Sequence, residues 1–70
     1  MKKYLVLKVK VDRDRNVTSI LDVLFESYDE KQAEKFCRLL LSMQKYIHPL
    51  QEDECFAVGV EVLHKEICLN

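Results

Sequence analysis

Cys37, His48, Cys55 and His64 put two thiols and two imidazoles in one half of a short chain, and together they match the ligand inventory of a structural zinc site. Their spacing argues against one. Zinc ligands come in close pairs such as C-x₂₋₄-C and H-x₃₋₅-H, because a single turn has to aim both at one ion. Here the steps are eleven, seven and nine residues, from Cys37 to His48, His48 to Cys55 and Cys55 to His64. The stretch between Cys37 and His48 reads as helix, which separates those two by roughly 16 Å. One ion cannot be reached by both, so no metal and no cofactor is expected.

Other chemistries fail in similar ways. The run "DRDRN" at 12 to 16 opens like an EF-hand loop, but Val17 and Val23 stand where that loop needs glycine and glutamate. Cys68 follows His64 by four residues, a contact spacing on a helix. On an extended strand the pair would lie about 13 Å apart. No glycine-rich phosphate loop and no nucleophile elbow occurs. A one-layer sheet of this size encloses no pocket by itself, so an enzyme is not expected.

Basic residues carry a second possibility. Lys31, Lys35, Arg38 and Lys45 fall on one outward strip of a helix and form a candidate anion-binding set. Tyr4 alternates with Lys8 and Lys10 on a strand, a sparse version of an aromatic and basic platform for nucleic acid or nucleotide. Glu34, Asp22, Glu26 and Glu61 dilute both patches, and 11 basic against 12 acidic residues leave a formal charge of −1. Nucleic-acid binding is therefore the alternative reading.

The elements that must position these residues follow from periodicity. The 70 residues, 49% hydrophobic with one glycine and one proline, predict a single globular domain over 1–70. In "YLVLKVKV", Leu5, Leu7, Val9 and Val11 take one face and Tyr4, Val6, Lys8 and Lys10 the other. After the polar turn at 12–16, Val17, Leu21, Val23 and Phe25 share a face, opposite Ile20, Leu24 and Glu26, which completes a hairpin. Asp29 with Gln32, or Ser27 with Glu30, has capping-box spacing. Ala33, Phe36, Leu40, Met43 and Ile47 then recur at helical steps, and Pro49 predicts an end near Ile47. A third strand is expected over about 55–65, with Phe56, Val58, Val60 and Val62 on one side and a bulge or close approach at Gly59.

These elements predict an α+β fold of ββαβ type: a two-layer sandwich in which a three-stranded antiparallel sheet, order 2-1-3, carries one helix on one face. The Leu5 to Val11 row is expected beneath the helix. That choice turns Tyr4, Val6, Ile20, Leu24, Ala57 and Leu63 outward, an apolar patch where a solvated face should be polar. Tyr4, Val6, Ile20, Leu24 and Leu63 are accordingly the candidate partner-binding residues. The function expected is a small protein-interaction module, a homodimer or a binder and inhibitor of a larger protein, of bacterial or phage type. Lysines at 8 and 10 cut the N-terminal apolar run short of a signal sequence, no segment is long enough to span a bilayer, and three widely spaced cysteines suit free thiols. A cytoplasmic setting without membrane contact is expected.

Overall fold

The computed structural model describes residues 2–61 and the backbone of 67–69. The elements run β1 (Lys3–Val11), β2 (Val17–Ser27), α1 (Glu30–Met43), β3 (Glu54–Glu61) and β4 (Ile67–Leu69). All pairings are antiparallel, in the order β2-β1-β3-β4. The α+β architecture with its 2-1-3 sheet and single helix is as the sequence predicts. β4 is an addition. It extends the sheet beyond β3, where Gly59, Val60 and Glu61 pair with Leu69, Cys68 and Ile67.

Asp12 builds the hairpin turn. Its carboxylate accepts from the backbone N–H groups of Asp14 and Asn16, both at 2.9 Å. Its own N–H donates to the Asn16 carbonyl at 3.0 Å, and Arg15 N–H donates to its carbonyl at 3.1 Å. Arg15 adopts φ 67° to close the loop. An aspartate can hold such a turn because its short side chain imitates the missing strand partner.

Asp29 caps α1, its carboxylate accepting from Lys31 N–H at 2.9 Å. Ser27 supports the cap from one side, accepting from Asp29 N–H and donating to the Gln32 side chain at 3.1 Å. Asp29 is thus the cap, but neither predicted pair closes as a reciprocal box: Gln32 bonds Ser27 instead of returning to Asp29, and Ser27 serves Asp29 and Gln32 instead of Glu30. The regular helix stops at Met43, four residues before the predicted end. One irregular turn follows, with the N–H groups of Tyr46 and Ile47 both donating to the Met43 carbonyl. His48 then takes φ 53°, out of the right-handed helical region that Pro49 disfavours for the residue before it.

The helix lies on the opposite face of β1 from the one expected. Val6, Ala33, Leu40 and Phe56 form the buried cluster beneath it, with Tyr4, Leu24, Phe25, Phe36, Cys37, Leu50 and Val58 packed around them. Leu5, Leu7, Val9 and Val11 form a second buried cluster, joined by Cys55 and Ala57 and by no residue of α1. Register explains the reversal. Cross-strand partners share a face, and β1 pairs with β3 even to even: Tyr4 with Val60, Val6 with Val58, Lys8 with Phe56. If Phe56 and Val58 meet the helix, so must Val6. Lys8 tolerates the helix side because its ammonium reaches Glu54 at 3.5 Å and donates to the Pro49 carbonyl at 3.2 Å, tying down the connection from α1 to β3.

β2 is shifted by bulges. The β1–β2 register breaks between Val6 and Leu7, Lys8 and Val9, and Lys10 and Val11, leaving Leu24, Leu21 and Thr18 as extra residues on β2. Each extra residue inverts the alternation beyond it. Val6 therefore faces with Phe25, whereas Leu7, Val9 and Val11 face with Val23, Ile20 and Val17. No such break occurs between β1 and β3, where Leu5 pairs with Gly59 in an unbroken ladder. Gly59 is buried but not bulged.

Candidate interaction surface

The helix-free face of the sheet is built from three aligned rows. The central row, Leu5, Leu7, Val9 and Val11, is buried. On one side stand Gly59, Ala57 and Cys55; on the other, Val23, Ile20 and Val17. The β2 row is open to solvent, with 44% of Val23, 42% of Ile20 and 36% of Val17 exposed. Leu21, the extra residue of the middle bulge, is equally exposed at 44%. Among the described residues, charge brackets these rungs, with Asp12, Arg13, Arg15, Glu52 and Asp53 around Val11 at the hairpin turn and a triad at the end near Ser27. There Lys3 lies 3.7 Å from Glu26 and 3.9 Å from Glu61, so the aligned apolar rungs run from this triad to the hairpin turn without a charged side chain.

Of the candidate partner-binding residues that are described, one stays on this face. Ile20 is there, paired with Val9. Val6 is 0% exposed beneath α1 and has no surface to offer. Tyr4 and Leu24 pack against the same helix-side cluster, each half-buried. Ala57 belongs with the other cluster. Leu63 lies outside the described residues. Val17, Leu21 and Val23, expected beneath the helix, are exposed instead. Their reassignment could not be read from alternation because the bulges that cause it carry no glycine or proline to announce them.

The sheet platform imagined for nucleic acid is dismantled by the same reversal. Lys8 is engaged by Glu54, Lys10 lies 3.4 Å from Asp53, and Tyr4 is on the helix side. Lys31, Lys35, Arg38 and Lys45 are all exposed as expected, the first three on α1 and Lys45 on the turn after it. Leu39 and Leu41 are exposed on either side of this strip, by 52% and 46%. The triplet of leucines at 39–41 was the available signal: at about 100° per residue, only one of three can point inward, and Leu40 is the buried one. Met43 and Ile47, predicted inward, are exposed: Met43 is the last helical residue, at 36%, and Ile47 falls beyond the end of the regular helix, at 42%.

Two depressions flank these surfaces. One, between α1 and β2, is an open cavity of about 350 Å³ lined by Phe25, Gln32, Lys35, Phe36 and Leu39. Another, of about 530 Å³, lies at the hairpin turn among Val11, Asp12, Arg13, Arg15, Glu52 and Asp53. Its mixed signs favour no one charge of ligand.

Of the four cysteines and histidines whose spacing argued against a zinc site, the three that are described sit in different surroundings. Cys37 is half-buried among the helix-side side chains, Cys55 belongs to the other cluster, and His48 is exposed on the turn after α1. His64 lies outside the described residues, and among those that are described no group of three metal-ligating side chains converges. Burial pushes the Cys37 thiol up, Cys55 adds to the rise and Arg38 opposes it. A thiol held protonated is a poor nucleophile at neutral pH. No helix among the described residues is long and apolar enough to cross a membrane. Comparison with protein families, with characterised proteins and with solved structures finds no match to this chain.

Proposed function

We propose that the chain is a small protein-binding module that works through the helix-free face of its sheet, with a second copy of itself as the simplest occupant and a larger protein, inhibited by being covered, as the other. The row Val17, Ile20 and Val23 carries this reading: three exposed aliphatic side chains of an edge strand beside a fully apolar central row. Removing such side chains from water contributes roughly 25 cal/mol per Å². The central row is already out of water, so the surface this face offers is the β2 row with Leu21 beside it.

The face is favoured over the edge. β2 is the outer strand of the sheet, but its three register breaks interrupt the ladder every few residues. Bulges of this kind guard an edge against strand addition, because they twist its unpaired N–H and C=O groups out of line. The nucleic-acid reading keeps only the helix strip. In keeping with its cysteines, the module is assigned to a reducing cytoplasm.

Sedimentation equilibrium at low and high salt tests the proposal. A dimer whose dissociation constant barely moves with salt is expected from an apolar contact. Association that collapses as salt rises would transfer the function to the basic strip. A monomer whose Val17, Ile20 and Val23 amides are not protected from exchange by any protein bound in the native host would end the proposal.

A further inference from the structure

The cavity between α1 and β2 has the makings of a second binding site. Its floor is the Phe25–Phe36 pair, and Leu39 forms an apolar wall with half its surface open to water. Lys35 stands on its rim, Lys31 lies one helical turn before it and Arg38 one turn after. Among the described residues, none of these three cations has a carboxylate within ion-pair distance. An apolar recess bordered by uncompensated positive charge complements an apolar side chain flanked by negative charge.

We propose that this groove seats an aliphatic side chain from an acidic protein segment, with Lys31 and Lys35 meeting carboxylates beside that anchor. A volume of about 350 Å³ accommodates such a side chain with part of its neighbours. The alternative for a basic strip is nucleic acid, and the ring geometry disfavours it. Phe25 and Phe36 are stacked on each other with centroids 4.3 Å apart, so the facing ring surfaces are unavailable to a base. Leucines border the strip where a strand-binding groove would carry aromatics.

The test is an amide-shift titration of the isotope-labelled chain with three probes: a short peptide bearing one leucine between pairs of glutamates, its glutamine counterpart, and a short oligothymidylate. The acidic peptide is expected to shift the amides of Lys35, Phe36 and Leu39, and to bind at least about threefold more tightly than the glutamine peptide at low salt. Lys35→Gln should weaken it about threefold. Leu39→Asp should weaken it by about tenfold or more, since a carboxylate replaces the apolar wall. Equal binding of the two peptides, tighter binding of the oligonucleotide, shifts centred on Val17, Ile20 and Val23, or no saturable shift at all would each overturn the proposal. Because the peptide comparison uses the unaltered chain, it holds even if a variant fails to fold.

Discussion

Phe25 on the edge strand and Phe36 on the helix stack with ring planes 13° from parallel and centroids 4.3 Å apart. This contact fastens β2 to α1 at the one strand that the bulges have loosened from regular pairing. Aromatic pairs in such offset arrangements contribute about 0.5–1.5 kcal/mol beyond the area they bury. It also forms the floor of the groove, so stability and the proposed second site depend on the same two rings.

Phe36→Ala should therefore destabilise the fold by about 2–3 kcal/mol, below the range for a fully buried phenylalanine because Phe36 keeps part of its surface in water. Leu40→Ala, at a position only 4% exposed, should cost about 2–5 kcal/mol. Urea unfolding of the two variants checks both. A harmless Leu40→Ala would mean that the helix presents another face to the sheet.

The hairpin turn depends on one carboxylate. Asp12→Ala removes the acceptor for two backbone N–H groups at once. The site is exposed and water can replace the lost partner, so the expected loss is about 1 kcal/mol. The melting temperature should fall by several degrees, with the amides of Asp14 and Asn16 exchanging faster. An unchanged melting temperature would show that the turn is held by its backbone bonds alone.

Cys37 offers a test in pH. Its thiol is held above the ordinary value by burial, with Cys55 as the second cause. Alkylation of Cys37 in the folded chain should then be slower at neutral pH than in urea, and should accelerate as pH rises toward the folded-state value. The sign for stability follows by linkage. Below the unfolded thiol's pKa both states keep the proton and nothing is lost. Between the unfolded and the folded value only the native state keeps it, so stability falls as pH rises through that window. Rapid labelling at neutral pH, or a gain in stability in that window, would contradict the burial of Cys37. A chelator should leave the melting temperature unchanged.

Much of this architecture is legible in the residues, and its failures have one physical source. The alternation in β1, the polar turn at 12–16 and the spacing of Ala33, Phe36 and Leu40 mark the hairpin and the inward stripe of the helix. What alternation cannot decide is which face of a two-sided apolar strand receives the helix, because Val6 and Leu7 are both fully buried on opposite faces. The parity of Phe56 and Val58 held the answer, but only once their register with Lys8 and Val6 is known. The bulges at Leu21 and Leu24 are invisible for a related reason: either residue would fit a regular strand equally well. β4 is only three residues long, too short for a period to register.

The reversed faces make the sharpest prediction. Val6→Lys places an ammonium in the cluster formed with Ala33, Leu40 and Phe56, where no described carboxylate is available to it. A buried cation without a partner costs several kcal/mol, enough to unfold a domain of this size. Ile20→Lys acts differently. Its side chain is 42% exposed beside Val9 on the helix-free face, so a lysine there can reach water in the monomer. The same lysine would be trapped once that face is covered, and the desolvation should break an apolar association of ordinary size. The expected pair of results is an unfolded Val6→Lys by circular dichroism, and an Ile20→Lys that melts like the parent but sediments as a monomer. Leu24→Lys, on the helix side, should be destabilised instead of merely dissociated. If Ile20→Lys unfolds while Val6→Lys stays folded and loses association, the helix covers the other face and the proposed surface is the wrong one.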